Sequence, residues 1–546
     1  MRFFPVYLLL ALFAPGMAFS ADYGDALAPL LEGEFALQQG QHTSAAQAYV
    51  RAAEQSPDPA VAERAVQVAL AARDAAQVRQ ALARWQMLAS SQPAQDAAWL
   101  RLALLESDHA AARTVMARLL QREEGWRQVA AALAGSQEPE RASRLLGELL
   151  QQGQLPQRME AWLAFGGVAL RLKDSSLYGE LAQAAAAGFP EDPRALAWRA
   201  EDAISRGDDE DARRALQAAL ALPDLGASER LTIAAQFDAL GDPAAAAAAL
   251  DIGLEDDRVL GSRAAYLARA EDEAGLAALY ERAVAQTAPE SASPARLYLL
   301  GQLAEMREDG PAALAWYRSI RGGLQRDQAQ LRIAALLDKS GEHAAAQALL
   351  RQVQAGDSEW GEIIRDAYLL EAELARNAGD GVSELNALNR GLGIFEDDLM
   401  LRYSRALAFE RMDRVEEAVA DLRQLLAEAP DDADFLNALG YTLVDRTEAI
   451  DEGLELIEQA IALKPDSAPI LDSLGWALHR HGRNAEALPH LKRAFELQRD
   501  AEIAAHLAIV LWLLEQADEA RSILRLGQEI DADNRALRRA LETITP

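Results

Sequence analysis

From Leu399 to Asn534 small and apolar residues recur with a beat of about 34 positions, in four lines that begin at Leu399, Ala433, Ala468 and Ala501. The eighth position of each line is small (Ala406, Gly440, Gly475, Ala508), and so is the twentieth (Ala418, Gly453, Ala487, Ala520). Four residues beyond the twentieth stands an apolar knob: Leu422, Ile457, Leu491 or Leu524. Three further on come Leu425, Ala460, Ala494 and Gly527, so each line carries a stripe with helical spacing. Small residues at the eighth and twentieth positions suit two antiparallel helices that cross closely, because a larger side chain at either place would push them apart. Pro430 and Pro465 end the second helix of their lines, since proline lacks a donor and clashes with the preceding turn. The second line carries one extra residue, which the pattern assigns to the turn near Asp445–Glu448.

The same layout starts near the N-terminus. With Ala26 as position one, Gly33, Ala45, Tyr49, Ala52 and Pro57 fall on the landmarks. Pro59–Ser90 is a degraded unit, and 97–190 keeps a helical period while losing the landmarks. Trp99, Trp126 and Trp162 punctuate that stretch as packing residues, and Gly125, Gly135 and Gly153 with Pro156 mark its turns. The register returns at Pro193, Ala227, Pro294 and Asp327. No long alternating Val/Ile/Thr-rich segment predicts a strand. A 34-residue helix–turn–helix period is that of the tetratricopeptide (TPR) repeat. The expected fold is therefore an all-α, TPR-type solenoid, a right-handed superhelix of about a dozen helix pairs. Residues 21–398 are expected to hold divergent repeats, 399–534 a regular block, and 535–546 a tail that caps the last repeat.

Composition fits close helix packing. Half of the 546 residues are hydrophobic, yet only 6% are aromatic. Formal net charge is −31, with no basic stripe, which disfavours nucleic acid and leaves either solubility or a basic partner as the use of the acidity. Met1–Ser20 pairs one Arg with an apolar run over Val6–Ala14, then Pro15-Gly16 and small residues before Ala21. It is expected to be a cleaved export signal, with cleavage near Ser20 or one frame earlier, after Ala18. Its run is too short for a permanent span. The absence of cysteine excludes disulfides, thiolate metal sites and a lipidated N-terminal cysteine. A periplasmic protein that is not a lipoprotein is the expected localisation.

Catalytic spacing is lacking. There is no G-x-S-x-G elbow, no H-E-x-x-H pair and no phosphate loop, and Gly391-Leu392-Gly393 lacks a third glycine and a preceding strand. Four of seven histidines fall late (His479, His481, His490, His506), but His479 and His481 close a first helix and need not share a face. The expectation is a non-enzyme with no cofactor, with a metal hydrolase at those histidines as the rival of a different class.

The constructive site is the inner groove, lined by positions 2, 5, 9, 12 and 13 of each first helix. In the regular block these positions supply an aromatic run of Tyr403, Tyr441, Trp476 and Trp512, flanked by Asn437, Asp472 and Arg480. Rings beside hydrogen-bonding groups suit peptide recognition. The alternative is that Trp476 and Trp512 seal adjacent repeats.

The stretch from Leu436 to Ala520, LNALGYTLVDRTEAIDEGLELIEQAIALKPDSAPILDSLGWALHRHGRNAEALPHLKRAFELQRDAEIAAHLAIVLWLLEQADEA, resembles the C-terminal block of a proteobacterial family of exported TPR proteins. That family is typified by the outer-membrane lipoprotein partner of the periplasmic carboxyl-terminal processing protease. The opening GEFALQQGQHTSAAQAYVRAAEQSPDPAVAERAVQVAL resembles the family's start as well, and the middle shares only repeat character. The resemblance implies an adaptor that binds the protease and brings it substrates, among them peptidoglycan hydrolases, with possible association with the outer membrane. This chain departs from it in lacking the lipidated cysteine, which puts tethering in doubt. The second expected role is a TPR assembly factor for outer-membrane or exopolysaccharide export complexes.

Overall fold

The computed structural model describes residues 24–89, 93–356 and 360–544. The expected export signal and its cleavage site lie outside the described residues. Among the described residues there are 31 α-helices and no strand. The chain divides into two compact units, residues 1–275 and 276–546. Each is an all-α array of TPR-type helix pairs, in which a helix packs on its hairpin partner and on the next pair.

Acidic residues do much of the local work. Asp74, Asp108, Asp174 and Asp208 each precede a second helix and accept a hydrogen bond from a backbone N–H of its first turn. Asp192, Asp398, Asp432 and Asp500 do the same for first helices. A carboxylate there satisfies an orphan donor and meets the positive end of the helix dipole. The turn inside many pairs passes through one left-handed residue, Arg73, Lys173, Gly207, Gly241, Asp413, Gly482 or Glu515, just before the next helix.

In the regular block the first helices are Leu399–Arg411, Ala433–Arg446, Ala468–Arg480 and Ala501–Leu513. Their partners are Val415–Glu428, Ile450–Leu463, Asn484–Leu497 and Ala517–Ile530. The extra residue of the second repeat extends its first helix to 14 residues, and the chain leaves it through an extended Thr447 instead of a left-handed turn. The small positions cross as expected. In the second repeat both are glycine: a Cβ on Gly440 would lie 2.8 Å from the Gly453 carbonyl oxygen, and one on Gly453 2.6 Å from the Gly440 carbonyl oxygen. The knobs Leu422, Ile457, Leu491 and Leu524 are buried, each contributing about 1.5–3 kcal/mol of apolar burial. Helix Arg535–Ile544 stacks on the last pair through Leu537, Ala540 and Ile544, and its arginines are exposed.

The stretch poor in landmarks contains three complete pairs. Helix Gly125–Ala134 has 10 residues against 13 for Pro93–Leu105, so the small residue Ala142 and the buried Leu146 and Leu149 arrive early while keeping the usual spacing. Trp99, Trp126 and Trp162 pack in or against one core there.

Candidate functional site

The four first helices of the regular block place the seven candidate residues in three settings. Tyr403 is half-buried, its ring 5.3 Å from that of Phe435. Trp512 is half-buried at the other end, packed against the core that includes Ala508, Leu524 and Leu537, with the Arg521 guanidinium 5.5 Å from its ring centroid. Tyr441, Asp472, Trp476 and Arg480 come together between them. Trp476 Nε1 donates to Asp445 Oδ1 at 3.1 Å, and Arg480 Nη1 donates to the Asp445 carbonyl oxygen at 3.2 Å. The Tyr441 hydroxyl donates to Glu502 Oε1 at 2.6 Å, tying the second repeat to the fourth.

Asp472 is not free on the groove. It is buried, and both its carboxylate oxygens lie 3.0 Å from Nδ1 of His506, itself buried. The His506 ring stacks on Trp476 with centroids 4.1 Å apart and planes 18° apart, and His479 leans on the same indole at 4.8 Å. Trp476 thus takes part in the packing between repeats as well as lining the groove. Asn437 is half-buried and its Oδ1 has no hydrogen-bond partner.

The electrostatics follow from this crowding. Burial pushes the Tyr441 phenol well above its ordinary value, and the charges of Glu502 and Asp445 push the same way. Burial also raises Glu410, with Glu502 and Asp445 adding to it against the opposing charge of Arg446. For His506 burial disfavours the cation, but the charge and hydrogen bond of Asp472, aided by Glu502 and Asp445, outweigh it and hold the imidazole above its usual range. His479 is pushed down, by burial and then by the cationic neighbours His506 and Arg480.

Glu410, Tyr441, Asp445, Trp476 and Glu502 wall a cavity of about 90 Å³, with Arg446, Arg535 and Arg539 also on its lining. That is far below the roughly 300–1,000 Å³ of a small-molecule pocket, so it suits a side-chain tip or a main-chain donor of a larger partner. Sequence reasoning missed His506 as part of this site. The signal was there: a lone histidine in the apolar helix AEIAAHLAIVLWL, 34 residues after Asp472, which is one repeat.

His481 is exposed and faces Asp451 at 3.0 Å, apart from the His479–Trp476–His506 stack. Among the described residues no group of three or more His, Cys, Asp or Glu side chains is placed to hold a metal ion.

Helix pairs with small residues at their crossings make this an all-α, TPR-type helical-repeat fold. The tetratricopeptide-repeat family model matches residues 403–468. A TPR repeat-containing protein of Pseudomonas aeruginosa, PA4667, is 32% identical over 208 residues, 38% of this chain and 35% of that protein. The chain's match thus spans about a third of the length of this relative. Among solved structures, a tetratricopeptide repeat protein from Parabacteroides merdae aligns with a TM-score of 0.38 at 13% identity, covering 46% of this chain and 99% of that one. PilW, a type IV pilus biogenesis factor, aligns with a TM-score of 0.33 at 15% identity, covering 40% of this chain and all of that one.

Proposed function

We propose that this protein is a non-enzymatic, exported TPR adaptor whose C-terminal repeats bind a periplasmic carboxyl-terminal processing protease and bring it substrates in cell-wall turnover. The observation that carries the binding role is the inner face of the block at residues 399–513. There the rings of Tyr441 and Trp476 and the carboxylates of Glu410, Asp445 and Glu502 line one cavity. Such a face offers a partner both ring surface and hydrogen bonds in one register. The protease and its hydrolase substrates come from the resemblance of the block at Leu436–Ala520, and the identity to the Pseudomonas TPR repeat-containing protein supports kinship at that coarser level. No described helix is long and apolar enough to cross a membrane.

The test is a pull-down from envelope extract with the chain lacking residues 1–20, read by mass spectrometry. Beside it runs the variant Asn437→Ala/Arg480→Glu/Arg539→Glu, chosen because Trp476 and Asp472 are needed for packing. A processing protease recovered by the parent and lost by the folded variant is the expected outcome. Recovery of export-complex assembly components in its place would reassign the protein to the second role.

A further inference from the structure

Asp472 and His506 meet at the contact between the third and fourth C-terminal repeats, one on helix Ala468–Arg480 and the other on helix Ala501–Leu513. They are 6% and 2% exposed, and both carboxylate oxygens lie 3.0 Å from the imidazole Nδ1. Among the described residues His506 is the one partner of that carboxylate. Arg446, Arg535 and Arg539 share the small cavity with Glu410, Asp445 and Glu502, but Asp472 is not on its lining. The other carboxylates of this site therefore keep cations beside them whatever His506 does. Asp472 does not.

The groups around the imidazole are set by every element packed on its helix. Glu502 of the same helix and Asp445 of the second repeat add their charges in favour of the cation. Tyr441 of the second repeat has its ring 6.2 Å away, and burial holds its phenol well above the ordinary value. The third repeat brings Asp472 and, on the same Trp476 indole, His479, whose own cation burial disfavours. Glu410, Arg446 and the cap helix's Arg535 and Arg539 line the cavity that His506 also lines. The remaining neighbours, helices Asn484–Leu497 and Ala517–Ile530, bury apolar residues and one glycine, and no charged side chain.

A protonated imidazole here is a counter-charge sealed against its carboxylate, with the Trp476 indole stacked on it at 4.1 Å. A neutral imidazole can still donate one hydrogen bond but carries no charge, so Asp472 becomes a buried carboxylate without a cation. Water is the remedy for such a group, and it reaches Asp472 when the third and fourth repeats part.

We propose that Asp472 and His506 form a pH-sensitive latch. With the imidazole protonated, the fourth repeat and its cap helix are locked on the third. Loss of that proton lets them swing away, unstacks His506 from Trp476 and reshapes the inner face at that end. The latch is a property of the chain alone, and its bearing on partners rests on the inner face being the binding surface proposed above.

The chain has no cysteine, so a pair introduced at exposed positions takes spin labels there and nowhere else. Glu416→Cys on helix Val415–Glu428 and Glu529→Cys on helix Ala517–Ile530 place one label on the first repeat and one on the fourth. Double electron–electron resonance on the chain lacking residues 1–20 reads the distance between them from about pH 6 to about pH 9. A change of about 2 Å or more is expected across that range, the scale of helix shifts at interfaces. His506→Gln should abolish the change. Asp472→Asn, which keeps the size and removes the buried charge, should abolish it too and serves where His506→Gln does not fold by circular dichroism. A distance that stays constant in the labelled parent, or a pH dependence that persists in either folded variant, would overturn the latch. Absence of a processing protease from the pull-down would remove the adaptor reading and leave this distance change untouched.

Discussion

His506 and His479 sit against one indole and are pushed in opposite directions. His506, raised by Asp472 in spite of burial, contributes stability that is complete below the ordinary imidazole pKa of about 6.5 and is lost as pH rises through the folded value. His479, lowered by burial, contributes stability that is present above that pKa and lost as pH falls through its folded value. Urea denaturation of the chain over a pH series should therefore show the alkaline loss disappear in His506→Gln, while the acid loss attributable to His479 stays. An alkaline limb of unchanged slope would break the assignment. Removing one partner is a harsher change: Asp472→Ala leaves a buried imidazole with no carboxylate and should cost about 3–5 kcal/mol, measurable as a fall in the urea midpoint. At this scale the sequence misled in a specific way. It placed Asp472 on the groove by position number, but position five abuts position six of the next repeat, and a histidine there draws the carboxylate inward.

The helices were legible wherever a small residue, a knob and a third apolar residue kept their spacing, because close crossing leaves few choices at those places. They were hard to read where one helix is shorter or sizes are exchanged. The pair starting at Met159 has Tyr178 where the small residue is expected and Ala182 where the knob is, and Gly125–Ala134 shifts every landmark after it. The acidic run Asp208–Asp211 opens such a helix, where a carboxylate meets the free N–H groups and the positive end of the dipole. Glycines of equal legibility in sequence differ in consequence. Gly453→Ala drives a methyl group against the Gly440 carbonyl and the Val444 side chain, neither free to retreat, and should destabilise by about 1–3 kcal/mol. Gly167→Ala meets open space within a helix and should stabilise by about 0.5–1 kcal/mol through the entropy of the unfolded chain. Thermal melts of the two single variants, moving in opposite directions, are the check.

For the whole molecule, the period and the alanine-rich composition were enough to indicate an all-α repeat array, because each pair needs only its neighbours to bury its core. The groove was less accessible: its positions in the C-terminal block could be enumerated, but the pairing of a carboxylate with a histidine one repeat away could not. Loss of the first 20 residues removes Arg2, the segment's one charge, and takes the chain from −31 to −32. Sequencing the N-terminus of protein recovered from the periplasm should give Ala21, or Phe19 for the alternative frame, and an intact Met1 on cytoplasmic protein would refute export.

The paired glycines at the crossing of the second C-terminal repeat bear on how such an array can change over generations. At the other three crossings of the block at least one partner is alanine. At the Ala406/Ala418 and Ala508/Ala520 crossings one helix can be replaced by its counterpart from the other repeat with a methyl group already in its place, whereas a Cβ on Gly475 would lie 2.4 Å from Leu491 Cγ. Between Gly440 and Gly453 each backbone leaves no room for a side chain on the other. Recombination that imported a foreign Ala418-, Ala487- or Ala520-bearing helix would put a methyl group against a carbonyl. The two helices of that repeat are thus heritable only as a unit.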